Sequence, residues 1–162
     1  MTNWFGKRAI RVVSAVMAAN GIRTIYLQAA RFDDRTPNGL LDPALMTPFL
    51  QRAHARGMNV VGWYLPKLID VDADLARLVA IHEFDQGGER FDGLVVDIEN
   101  NTDVADAADR NARLVDLTKR LRDRIGTRPV VGAAVVPPVV LEVINEKFWP
   151  GFPYHELAKH YD

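Results

Sequence analysis

Cysteine is missing altogether from the 162 residues. That excludes disulfides, thiolate catalysis and cysteine-ligated zinc or iron–sulfur centres. No apolar run approaches the ~18–20 residues needed to cross a bilayer, so no membrane partner is expected. The opening, Met1 to Arg11, leads into no apolar stretch with a small-residue cleavage site. No signal peptide is therefore read, and the cytoplasm is the default location. An excess of one charge is lacking too: 20 Lys and Arg stand against 21 Asp and Glu, for a net charge of −1. Such a chain has no basic field with which to hold a nucleic acid. The glycines form neither G-x-G-x-x-G nor a Walker A loop, and no cofactor is expected. A G-x-S-x-G elbow is absent, which argues against a serine hydrolase. The four histidines, His54, His82, His155 and His160, make no H-E-x-x-H and meet at no strand end, so no metal is expected. His54 and His82 read as surface or packing residues on helices. Asp70-Val71-Asp72-Ala73-Asp74 fails as a calcium loop because Leu75 and Ile81 stand where glycine and glutamate are needed; it reads as a helix N-cap with an acidic first turn.

What is present is an alternation of two periods. With 48% hydrophobic and 25% charged residues, the composition is that of an ordinary soluble α/β domain, read as one unit over 1–162. Ala9, Val12, Val13, Val16 and Met17 make a helical stripe that stops at Asn20-Gly21. Strands are expected at Thr24–Ala29, Asn59–Leu65, Gly93–Glu99 and Pro129–Val136, roughly 33 to 36 residues apart. Helices are expected between them, near Pro43–Arg56, Asp72–Phe84 and Val104–Ile125. The last of these mixes arginines with aspartates, which describes a solvated face rather than a nucleic-acid groove. Strands this apolar, each followed by a helix, imply a parallel sheet covered on both faces.

Polar and aromatic residues follow the strands where a phosphate loop would stand in a doubly wound sheet, and this favours a parallel (β/α) TIM-barrel-like fold. Four strands are half of what a barrel needs, so the expectation is a partial barrel. Its open edges, with Val61, Val95 and Val131 turned inward, would pair with another chain as a homo-oligomer or belong to a longer protein whose remainder is missing.

The informative segment is Asp92-Gly93-Leu94-Val95-Val96-Asp97-Ile98-Glu99. Strand alternation puts Val95, Asp97 and Glu99 on one face and Leu94, Val96 and Ile98 on the other. If the second set packs on helices, Asp97 and Glu99 point inward at the carboxyl end, with Cα atoms about 6.5–7 Å apart. Two carboxylates at that range raise each other's proton affinity, as general acid catalysis near neutral pH requires. An acidic pair at a strand end can instead cap the next helix, although Asn100, Asn101, Thr102 and Asp103 are available for that.

This segment resembles the D-G-x-D-x-D-x-E signature of chitinase-like glycoside hydrolases, which are (β/α)8 barrels. Asp92, Gly93, Asp97 and Glu99 stand at matching positions; Val95 stands where the family has a supporting aspartate. The resemblance implies that Glu99 protonates a glycosidic oxygen and that Asp97 orients an acetamido group. The wider chain, with Gly62-Trp63-Tyr64-Leu65-Pro66 and Trp149-Pro150-Gly151-Phe152-Pro153, is similar to bacterial glycoside-hydrolase-like barrel proteins. A carbohydrate is thus the expected ligand. Trp63 and Tyr64 are candidate stacking platforms, or else core aromatics. Gln28 and Arg31 are candidate hydroxyl binders, Arg31 having Asp33 or Asp34 as alternative surface partners. A non-catalytic carbohydrate-binding or scaffold protein that keeps the fold is the rival expectation.

Overall fold

The computed structural model describes residues 4–33, 36 and 39–162, with backbone alone for 4–10. Elements alternate in the expected order: α1 (Trp4–Ala19), β1 (Thr24–Gln28), α2 (Pro43–His54), β2 (Asn59–Tyr64), α3 (Val71–His82), β3 (Gly93–Ile98), α4 (Ala107–Ile125) and β4 (Val131–Val135). A π-helical turn at Val140–Ile144 and a short α5 (Tyr154–Leu157) follow. The strands form one all-parallel sheet in the order β1-β2-β3-β4, with β1 and β4 as its edges. The class is α/β, and no helix among the described residues is long and apolar enough to cross a membrane.

Local chemistry sets the element ends. Asp42, Asp70 and Asp106 are the N-caps of α2, α3 and α4, each accepting a hydrogen bond from a first-turn amide. The N-cap reading of Asp70 therefore holds. Asp106 takes the capping role before α4, so that helix starts at Ala107 and not near Val104, which is buried ahead of it. Gly126, at φ 80°, ends α4 in a conformation that a side chain would resist.

The core lies on one side of the sheet. Val60 and Tyr64 of β2, Leu94, Val96 and Ile98 of β3, and Val131 of β4 are buried with Leu50, Leu78, Ile81, Leu114, Leu117 and Leu121 from the helices. On the opposite face Val61, Trp63, Val95 and Asp97 are only half-buried, and Tyr26 is 63% exposed. The expectation of a sheet covered on both faces is thus corrected. Consecutive strand order with right-handed crossovers carries every connecting helix to the same side. Val131 is corrected as well: it pairs in register with Leu94 and shares that buried face, while Gly132 and Ala134 lie beside Val95 and Asp97.

The edges show where packing partners run out. The α1 stripe forms a helix, but Val12, Val13 and Val16 stay exposed while Ser14 is buried. The described contacts of α1 are with α2, and no further strand lies beyond β1 among the described residues. At the other edge, the Asp162 amide donates to the Val131 carbonyl (2.9 Å), and the Val131 amide donates to the Asp162 carboxylate (2.8 Å). Asp92 brackets Val60 in the same way at the entry to β3, its amide donating to the Val60 carbonyl at 2.9 Å and its carboxylate accepting the Val60 amide at 2.7 Å.

Candidate functional site

The uncovered face carries the polar residues. In register, Gln28, Trp63, Val95 and Gly132 form one row across all four strands. Asp97 stands two residues above Val95, beside Ala134, on the same face. Strand spacing of about 4.8 Å and a rise of about 3.3 Å per residue put the Gln28 and Asp97 Cα atoms about 12 Å apart. Gly132 is part of the floor: a Cβ there would meet the Val95 Cγ2 at 3.1 Å. Three of the expected site residues, Gln28, Trp63 and Asp97, therefore share one surface.

Asp97 is the anomalous member. Its Oδ1 is buried and has no hydrogen-bond partner. Burial pushes its pKa above the ordinary carboxylate value, and the neighbouring charge of Glu99 adds to the shift. A carboxyl group without a donor favours its neutral form, because ionisation would leave a charge poorly solvated. Glu99 lies one residue past the end of β3 and is exposed. Of the two carboxyls, the geometry biases Asp97 to keep a proton, whereas the family resemblance assigns the acid role to Glu99.

One expected ligand residue is placed elsewhere. Tyr64 is fully buried on the helix-covered face, its hydroxyl hydrogen-bonded to the Asp74 carboxylate. Its ring offers no surface to a sugar, and the core alternative is the correct one for this aromatic. Arg31 follows β1 in a loop whose backbone is tied down on both sides. Its amide donates to Thr36 Oγ1 at 3.2 Å, and its carbonyl accepts from the Arg77 side chain of α3 at 2.9 Å. Its own Nε is buried without a partner. Asp34, one of its expected surface partners, lies outside the described residues.

Near these strand ends sits a buried hub that sequence reasoning missed. Asp74, fully buried, accepts the Leu68 amide at 2.8 Å, the Lys67 amide at 3.3 Å and the Tyr64 hydroxyl. It fixes the turn after β2, where Leu68 adopts a positive φ of 62°. Burial raises its pKa above the ordinary value, and these three hydrogen bonds oppose the rise. In the sequence Asp74 looks like one more first-turn acid of α3, since nothing local distinguishes it from Asp72.

Beyond the strand ends Lys67 approaches Asp103 at 3.6 Å, and Asn100 accepts from the Thr102 amide at 3.0 Å. This loop is polar and self-bonded. It does not cap α4, which Asp106 does, so the alternative capping role expected of the segment after Glu99 is not the one it takes. Among the described residues no three His, Asp or Glu side chains gather as they would to hold a metal ion.

No family model, curated protein or solved structure was found to match this chain.

Proposed function

We propose that the uncovered sheet face is a carbohydrate site of a glycoside hydrolase-like (β/α) barrel wall, with Trp63 as its stacking platform and Asp97 and Glu99 as its working carboxyls. The observation that carries the reading is the unpartnered, buried Oδ1 of Asp97 on that face. A polar group kept at the carboxyl end of a strand without a partner costs stability, and such costs are characteristic of sites awaiting a ligand. An indole faces the same surface one row below, and sugar rings offer the C–H faces that stack on aromatics. Gln28, at the row's end, supplies both a donor and an acceptor for hydroxyls.

The chemistry available is proton transfer between two unequal carboxyls. Burial favours the protonated form of Asp97, and the neighbouring Glu99 charge adds to that bias; a glycosidic oxygen above the pair would take that proton as its bond to the sugar breaks and water adds to the sugar carbon. The rival reading, a non-catalytic carbohydrate-binding module, has its own observation. Val95 stands where the third carboxyl of the resembling family would lie, and it fills that place with an apolar side chain packed toward Gly132.

A panel of soluble polysaccharides and chito-oligosaccharides, assayed by calorimetry for binding and by reducing-end release for hydrolysis, tests both readings. The expected result is hydrolysis by the native chain that both Glu99→Gln and Asp97→Asn reduce by at least about 100-fold, the scale of general acid–base catalysis. Binding without hydrolysis, weakened by Trp63→Ala, would establish the binding module. A folded chain that neither binds nor cleaves any member would overturn the carbohydrate proposal.

A further inference from the structure

At the amino end of the sheet, opposite Asp97, His54 is held between two carboxylates. It is the last residue of α2, and its Nδ1 lies 2.7 Å from Glu89 Oε2 while its Nε2 lies 3.0 Å from Asp92 Oδ2. The three side chains are 21–39% exposed. Glu89 closes a tight turn: Gln86 and Glu89 form an isolated antiparallel bridge, and Gly87 and Gly88 between them both have positive φ, at 66° and 84°. Gln86 is also bonded to Thr47 of α2. Asp92 accepts the Val60 amide of β2 at 2.7 Å. One imidazole thus joins a helix end, a glycine turn and the base of two strands.

Proton count decides whether this arrangement can be complete. Both ring nitrogens face carboxylate oxygens, and only the imidazolium has an N–H to give to each. In the neutral ring one nitrogen carries a lone pair, which would confront an anion at about 3 Å. A protonated ring is also favoured at the carbonyl end of a helix.

We infer that residues 85–92 form a proton-controlled latch, fastened to α2 while His54 is protonated and released from one carboxylate when His54 becomes neutral. Of the charged groups around the ring, Glu89 and Asp92 are the two that act on it. Arg90 is engaged by Asp85 at 2.9 Å, and Arg56, in the turn toward β2, donates to the Arg52 carbonyl at 2.9 Å. Partial burial opposes the charge on His54, but the two carboxylates outweigh it and set its pKa above the ordinary imidazole value. The latch therefore holds below the raised pKa and opens as the pH rises through it. Opening would loosen one wall of a concavity of about 370 Å³ lined in part by Arg90, Phe91, Asp92, Arg128 and Val130.

Amide exchange and histidine titration on the full chain, both followed by NMR across pH 5–9, test the latch. The expected result is a His54 midpoint above that of a free histidine. The protection of the Gln86, Glu89 and Val60 amides, corrected for intrinsic exchange, should fall about tenfold or more over the same interval, as the loss of one charge-assisted hydrogen bond implies. In His54→Gln that fall should vanish. Should His54→Gln not fold, Glu89→Gln serves, because it must lower the His54 midpoint and move the loss of protection with it. A His54 midpoint at or below the free value would overturn the inference. So would protection that ignores the titration, or a pH dependence that survives in His54→Gln.

Discussion

Replacing Asp74 tests how the strand ends are held in place. Three donors converge on its carboxylate: the Tyr64 hydroxyl from β2 and the Lys67 and Leu68 amides from the turn after it. Tyr64→Phe removes one donor and leaves the carboxylate two partners, at a cost of about 1.5–3 kcal/mol, the usual range for a hydrogen bond to a charged group. Asp74→Ala strands all three donors in a fully buried place. At about 1–3 kcal/mol for each unsatisfied donor, and discounting the long Lys67 contact, the cost is about 2–6 kcal/mol. It also releases the Leu68 backbone, whose φ of 62° is unfavourable for a branched side chain. For a chain of this size each kcal/mol moves Tm by about 2–4 °C, and Asp74→Ala should show the larger drop of the two.

The pH dependence supplies a second check with a definite sign. Burial raises the Asp74 pKa, so between the ordinary carboxylate value and the raised one the native state holds a proton that the unfolded chain has lost. Stability then falls as the pH rises through that window. Asp74→Asn carries no such proton. Urea unfolding of both proteins from pH 3 to 7 should show the native chain losing ground to Asp74→Asn as the pH rises. The reasoning fails if Asp74→Ala costs no more than Tyr64→Phe, or if the native chain gains on Asp74→Asn with increasing pH.

Gly62 is buried under α3, where a Cβ would come within 2.5 Å of the Ile81 Cγ2 and 3.1 Å of the Phe91 Cδ1. Gly62→Ala should therefore lower the urea-derived stability by about 1–3 kcal/mol, and a loss below about 0.5 kcal/mol would mean that the contact relaxes freely. We propose that the sheet edges, together with the exposed Val12, Val13 and Val16 of α1 and Val139, Val143 and Ile144 after β4, mediate association. Light scattering should give a mass above that of one chain, and a strictly monomeric solution at high concentration would refute this.

The alternation of strand and helix was legible because each strand is an unbroken apolar run and each helix has a turn or cap residue at its ends. Asp97 was legible for the same reason: one parity of β3 reads Leu94, Val96, Ile98, and the other carries the acid. Parity failed where both faces are apolar. In β4, with Gly132, Ala133 and Ala134 around it, nothing in the letters says whether Val131 or its neighbours face the helices; only pairing with Leu94 decides it. The same ambiguity sends Trp63 and Tyr64 to opposite faces, since adjacent strand residues must part and the sequence does not say which goes where. His54 and Asp74 were missed on other grounds. Their partners lie 35 and 38 residues away for His54, and 10 for the Tyr64–Asp74 pair, so each contact exists only after the sheet has assembled.

The polar groups of the two faces differ in a way that separates structure from function. On the covered side every oxygen of Asp74 is used, and its removal should damage the fold. On the open side Asp97 keeps an oxygen that is buried and unused, so the fold gains nothing from it. Removing that carboxyl should be stabilising: Asp97→Val replaces it with a side chain suited to a strand beside Val95 and Ala134. The expected gain is about 1 kcal/mol at pH 7. Because the Asp97 pKa is raised, the native chain loses stability on ionisation, and the gain of Asp97→Val should shrink as the pH falls from the raised pKa to the ordinary carboxylate value. Urea midpoints at pH 3 and pH 7 give the comparison. A variant destabilised at pH 7 would show that Asp97 serves the fold through a partner, and the strongest support for a ligand site on that face would be lost.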